Sequence, residues 1–191
     1  GDVAFNNEVF TSQTGLGTIF VATSCGSCHA GDGKGHPFTT LTRFGQTDST
    51  GNRFLQLGGP QLQNRALPGY TPEQIPVGAT SSKFTPPANT GLGFLELVSD
   101  ADILAMADPN DANGDGISGV PNYAVLPFFV TPFANAKPRN GKYIHRFGKK
   151  AAAYNLLHQT VNAYNQDIGI TSSFDPKDVY SGLDIDPEVS N

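Results

Sequence analysis

The chain has 191 residues, of which 38% are apolar and only 15% charged, and a net charge of −5. Its 22 Gly and 14 Pro make up about a fifth of the chain against roughly an eighth in average usage, so it reads as one loop-rich domain rather than a coiled coil or repeat array. The 13 Phe and 6 Tyr exclude a disordered chain, and the negative balance argues against nucleic acid as a partner, because phosphate binding needs a positive face.

No run of 18 apolar residues is present, so no segment reads as a membrane span. The start lacks a charged region followed by an apolar one, so Gly1 reads as a mature N-terminus. The first element, Gly15 to Ala22, is a short apolar segment expected to feed a helical turn into Cys25 and Cys28, the two cysteines of the chain.

Cys25-Gly-Ser-Cys28-His29 has the form Cys-x-x-Cys-His, the attachment signature of a c-type haem. Two thiols one helical turn apart can reach the two vinyl groups on one porphyrin edge, and the adjacent imidazole can then meet the iron. Three plainer readings compete. A Cys25–Cys28 disulfide would close a loop too short to stabilise much. A thioredoxin-like pair wants a βαβ context, which the flanks lack. A zinc site needs further ligands from His36, His145 or His158. The histidine directly after Cys28 favours haem. After it, the glycine-dense Ala30–Gly35 lets backbone pass close to a flat ligand.

Residues 36 to 90 carry Pro60, Pro68, Pro72, Pro76, Pro86 and Pro87 and read as a long irregular region. A compact domain rarely holds so much loop unless the loop covers something, here a haem edge. The pattern next predicts a helix from about Asp100 to Ala107, capped by Ser99 and ended by Asp108-Pro109. Asp108 to Gly119 then matches the opening half of a calcium loop. Asp111, Asn113 and Asp115 would bind through side chains and Ile117 through its carbonyl, with Gly116 at the sharp turn. Asn122 stands where a bidentate Glu would be, and Asp108 could supply the missing charge. The competing reading is an Asx-rich turn held by its own hydrogen bonds.

Tyr123 to Phe133 reads as a short strand or extended piece. The spacing of Ala153, Leu157, Val161, Tyr164 and Ile168 predicts a helix over 151–168, with Gly169 as its C-cap. From Ser172 onward the chain reads as a linker or tail. A ligand opposite His29 would decide between electron carriage and small-molecule chemistry. Met106, His145, His36 and His158 are the candidates, and none wins outright. Arg146, Arg65 and Arg43 are candidate partners for haem propionates, since guanidinium pairs well with carboxylate.

Several stretches, taken in order, resemble the bacterial di-haem c-type oxidoreductases, also described as thiol-oxidoreductase-like or di-haem peroxidases. They are Cys25–Phe38, Gly58–Pro76, Phe84–Asn122, Arg146–Lys150 and Tyr164–Ser172. The matching Arg146-Phe-Gly places Arg146 first among the propionate candidates. Two departures stand out: the family's second Cys-x-x-Cys-His is not in this sequence, and Lys149 stands where the family commonly has Trp.

The resulting expectation is a mainly α fold with long irregular loops, a cytochrome c-like haem domain with extended insertions. That domain would span residues 1–171, with the calcium loop at 108–122 and the tail at 172–191. It would carry one covalent haem c and pass single electrons to or from a redox partner protein or a second haem domain. Thioether attachment places it in the periplasm or outside a bacterial cell. No small-molecule substrate is assigned, and no Ser-His-Asp or paired-carboxylate constellation is visible. The alternatives are a peroxidase-like haem enzyme with an open iron, and a non-haem metal-binding module.

Overall fold

The computed structural model describes residues 1–45, 47–48, 51–54 and 60–181. Among the described residues there are six short helices and small antiparallel sheets, with 22% helix and 18% strand. The expected mainly α, cytochrome c-like architecture is therefore overturned. Helix nucleation is costly and repaid only over several turns, and Gly and Pro punctuate the chain before most helices can lengthen. Extended segments pair as two-stranded ladders instead, most of them between positions well separated in the chain. The chain divides into two compact units, one of Gly1–Thr90 with the chain from Val161 onward, the other of Gly91–Thr160.

The first unit contains α1 (Asp2–Asn7), β1 (Ile19–Phe20), α2 (Cys25–Cys28), α3 (Ala30–Gly33), β2 (Leu41–Gly45), β3 (Thr47–Asp48), β4 (Gly51–Asn52), β5 (Arg65–Ala66) and β6 (Thr80–Phe84). β1 pairs antiparallel with β5, Ile19 opposite Ala66 and Phe20 opposite Arg65. The helical turn expected between Gly15 and Ala22 is thus a strand. A close backbone approach explains it: the Gly17 amide donates to the Ile168 carbonyl at 3.1 Å, and a Cβ on Gly17 would overlap the Gly169 carbonyl. Further ladders join β2 to β6, with Arg43 opposite Ser82, and β3 to β4.

The core of this unit is Phe10, Leu16, Phe20, Ala22 and Ile168, with Cys28, Leu67 and Ile170 packed against it. Full burial of a large apolar side chain stabilises by roughly 1.5–3 kcal/mol, so this cluster is a small core.

The second unit holds α4 (Leu92–Glu96), α5 (Asp100–Ala105), β7 (Asn122–Ala124), β8 (Tyr143–His145) and the start of α6 (Leu156–Ala163). The Ser99 hydroxyl accepts from the Asp102 amide at 3.1 Å, the cap the sequence signals for α5. β7 pairs with β8, Asn122 opposite His145, and lies at the start of the predicted extended stretch.

The helix expected over 151–168 begins later. Ala151 has φ 46°, and the amides of Ala152 and Ala153 donate back to the Phe147 carbonyl at 2.8 and 3.2 Å. The chain therefore reverses before Asn155, whose Oδ1 accepts the His158 amide at 2.8 Å and opens α6 as a cap.

α6 continues into a π turn over Tyr164–Ile168, closed by Gly169 in the left-handed region at φ 75°, where a side chain would be strained. Beyond it, the Asn165 amide side chain donates to the Lys177 carbonyl at 2.9 Å, and Asp178 is buried. The rest of the predicted tail, residues 182–191, lies outside the described residues, as does the start of the Gly58–Pro76 stretch.

Candidate functional site

The Cys25–His29 segment is ordered by local capping. The Ser24 hydroxyl accepts from the Ser27 amide at 3.2 Å, which starts α2 with Cys25 and Cys28 on one turn. The His29 amide donates to the Cys25 carbonyl at 2.9 Å and closes that turn. Gly31 and Asp32 then take left-handed backbone, φ 69° and 62°, so the chain cannot extend the helix past His29. The Thr39 hydroxyl donates to the Cys28 carbonyl at 2.9 Å, and the Asn89 amide to the Gly33 carbonyl at 2.8 Å. Two segments distant in sequence thereby brace the turn.

Both thiols are free and half-buried. Burial pushes Cys25 up, a backbone hydrogen bond opposes it, and the negative charges of Asp167 and Glu8 add to the rise. Cys28 is raised by burial and then by Asp167, while Ser27 and Arg65 act the other way. The thiols are thus held protonated, unlike the low-pKa pair of a redox-active thiolate site. The His29 imidazole meets the Phe5 ring at 5.9 Å. Burial lowers its pKa, opposed by hydrogen bonding to the Pro87 carbonyl, and Nδ1 is buried without a well-formed hydrogen bond.

These residues fit a covalently attached haem. Two unpaired thiols share one turn, Cys28 packs against the apolar core, and the following imidazole has its Nδ1 buried. A cavity of about 470 Å³ lies beside α1 and α3, lined by Phe5, Asp32, Gly33 and Asn89 among others and by none of Cys25–His29.

Asp167 is the residue near the thiols that sequence reasoning missed. Its main-chain oxygen accepts the amides of Val21 and Ala22 at 2.8 and 3.0 Å, just upstream of Cys25, and its carboxylate accepts from Gln61. Gln61 and Gln63 are buried, 2% and 3% exposed, and Gln63 also donates to the Gln166 carbonyl at 2.9 Å. No local pattern in the sequence signals the Asp167–Gln61 contact, which joins positions 106 residues apart.

The remaining predicted residues are in the second unit, apart from His36, Arg43 and Arg65 in the first. Met106 is 71% exposed. His145 is buried, its Nδ1 lies 3.0 Å from the Ala152 carbonyl, and its Nε2 has no partner. Arg146 forms an ion pair with Asp100, both side chains being buried, donates to the Val98 carbonyl, and lies over the Phe133 ring at 5.7 Å. Asp100 in turn accepts the Lys137 amide at 2.7 Å.

The loop from Asp108 to Gly119 is pinned at its ends by reciprocal bonds, Asp108 N to Gly119 O at 2.9 Å and the reverse at 3.0 Å. Asp108 Oδ1 accepts the Ala112 amide at 2.8 Å. Asp111 takes the Gly116 amide, Asn113 Oδ1 the Asp115 amide at 3.0 Å, and Asp115 Oδ1 the Ile117 amide at 2.8 Å. Among the described residues, no group of three or more His, Cys, Asp or Glu is gathered to hold a metal ion. No helix there is long and apolar enough to cross a membrane.

Residues 79–187, more than half of the chain, match the family model described as "Di-haem oxidoreductase, putative peroxidase". The matched span begins after Cys25–His29 and includes the 108–119 loop, His145 and Arg146. No curated protein and no solved structure matches the chain.

Proposed function

Because the chain belongs to the di-haem oxidoreductase, putative peroxidase, family, we propose that Cys25, Cys28 and His29 attach one haem c and that the chain carries single electrons. The observation that carries this reading is the Cys25–Cys28 turn closed by His29, with free thiols and a buried Nδ1. Bound there, a haem supplies reversible one-electron exchange at its iron.

The chain's own residues do the rest. Cys25 and Cys28 fix the porphyrin edge, so the cofactor stays in place without a large core. His29 binds the iron, its ring oriented by Phe5 and by the Pro87 carbonyl, in the way outer hydrogen bonds hold a metal-bound imidazole. Phe10, Leu16, Phe20 and Ile168, against which Cys28 packs, exclude water from that side of the attachment turn. The electron would pass to or from a second haem domain or a redox partner protein, outside the cytoplasm.

Absorption spectra of the haem-loaded protein test this, recorded oxidised and reduced with and without carbon monoxide. An electron carrier gives low-spin spectra in both states and no shift with carbon monoxide. High-spin spectra and a carbon monoxide shift would contradict it in favour of an open iron that acts on peroxide.

A further inference from the structure

We propose that the tight turn Arg139–Lys142, with Lys137 beside it, is the docking face for an acidic electron-transfer protein. This rests on the electron-carrier reading above and assigns the chemistry of its partner.

The chain sorts its charges along its length. Its net charge is −5, yet no Asp or Glu occurs from Gly116 to Gln166, while six of its 12 Lys and Arg lie between Lys137 and Lys150. That basic run lies wholly within the second unit. An acidic protein with such a run presents a local field opposite in sign to its overall charge.

The fold sets two of these charges side by side. Arg139 and Lys142 bridge across a two-residue turn, each amide donating to the other's carbonyl, at 2.9 and 3.0 Å. Asn140 and Gly141 hold φ of 52° and 71°, the left-handed pair that so tight a turn requires. Residues that exchange both backbone bonds lie about 5.5 Å apart at Cα and project from the same face of the ribbon. Like charges directly opposite destabilise a ladder. The pair therefore works against its own turn, which points to a role outside the fold.

No described carboxylate neutralises it. Lys137, Arg139 and Lys142 are exposed, and none of the three forms an ion pair among the described residues. Asp100 accepts the Lys137 amide at 2.7 Å, but its charge is matched by Arg146. Glu96 accepts the Leu156 amide at 2.7 Å, at the start of α6.

An apolar surface adjoins the charges. Ala124 on β7 lies opposite Tyr143 on β8, so Val125 continues the strand beside Lys142. Val125 is 67% exposed, and Phe128, in the turn that follows, is 84% exposed. Apolar residues edged by charge are the anatomy of a protein interface. The charges ride on a fixed two-residue turn and not on an amphipathic helix, the usual carrier of a lipid-binding face. A redox partner must also leave after one electron, and charge steers such small, short-lived encounters.

The test is binding of the haem-loaded protein to an immobilised plant-type two-iron ferredoxin, a strongly acidic redox protein, by surface plasmon resonance. Although both proteins are acidic, a complex forms at low salt. Its Kd rises at least about tenfold between about 20 and 200 mM salt, as the charges are screened. Lys142→Glu weakens low-salt binding about tenfold or more. Lys83→Glu, the same charge change on β6 of the first unit, leaves it within about twofold. Lys142→Glu keeps or raises the melting temperature, because it sets opposite charges across the turn.

No binding overturns the proposal. So does binding that strengthens with salt, as repulsion between two acidic proteins would give. Equal weakening by Lys142→Glu and Lys83→Glu overturns it too, since net charge alone would then explain the effect. If Lys142→Glu does not fold, Arg139→Gln decides, and unchanged low-salt binding by that variant overturns the proposal. Tighter binding to phosphatidylglycerol vesicles than to ferredoxin overturns it in favour of a lipid surface. Failure of the haem reading is separately visible as a polypeptide of bare mass, whereas absent ferredoxin binding with haem in place overturns the docking face alone.

Discussion

In the second unit, His145 and His158 meet edge to face, ring centroids 5.5 Å apart at 88°. Both are buried, 4% and 9% exposed. The His158 Nδ1 accepts the Tyr154 amide at 3.2 Å, which fixes its proton on Nε2. Next to them Tyr154 is fully buried, its hydroxyl accepting the Phe133 amide at 2.9 Å. Neutral histidines thus support this core.

That pair makes the fold acid-sensitive. Burial first, and the His145 charge second, lower His158 to about 4 from an unfolded value of 6.5. The unfolded chain therefore binds the proton first as pH falls, so the His158 contribution is complete above about pH 6.5 and is lost between there and pH 4. It amounts to roughly 2 kcal/mol, or about 5 °C in a protein of this size. The melting-point gap between wild type and His158→Gln should shrink by that order from pH 7 to 4.5. A pH-independent gap would contradict a neutral buried His158.

Arg146 and Asp100 make a second prediction. Removing one partner of a buried ion pair strands the other and costs roughly 3–5 kcal/mol. Asp100→Ala should cost that much in denaturant unfolding, since it also deprives the Lys137 amide of its acceptor. Arg146→Lys should recover only part, because an ammonium cannot serve both Asp100 and the Val98 carbonyl as a planar fork does. A loss under about 1 kcal/mol for Asp100→Ala would mark the pair as exposed in solution.

The Asp108–Gly119 loop holds its shape through amide hydrogens given to Asp108, Asp111, Asn113 and Asp115. Asp111→Ala should therefore cost about 1 kcal/mol for the lost Gly116 bonds. A marked fall in melting temperature on chelation with EGTA, reversed by added calcium, would support the calcium reading of this loop, and an unchanged melting temperature the Asx-turn reading.

Local signals were legible in the sequence and long-range ones were not. Ser99 as the cap of α5 and Gly169 as the end of the last helix depend only on neighbours, and both are found. The close approach of Gly17 to Gly169 and the pairing of Ile19 with Ala66 join segments far apart in the chain, which is why a strand stands where a helical turn was expected. The stripe starting at Ala153 misled because Ala153 does turn inward, fully buried, but in a bridge with Phe147 rather than in a helix. At the site, the Cys25–His29 spacing was visible in sequence. The Asp167–Gln61 contact spans 106 positions, and no local pattern marks it.

The most direct test of haem attachment is the intact mass of the protein, made in a host that matures c-type cytochromes. The expected mass is that of the polypeptide plus one haem, retained after acid and organic extraction, and of the bare polypeptide when both Cys25 and Cys28 are changed to Ala. A wild-type mass equal to the polypeptide alone, from a host that loads other c-type chains in parallel, would contradict it.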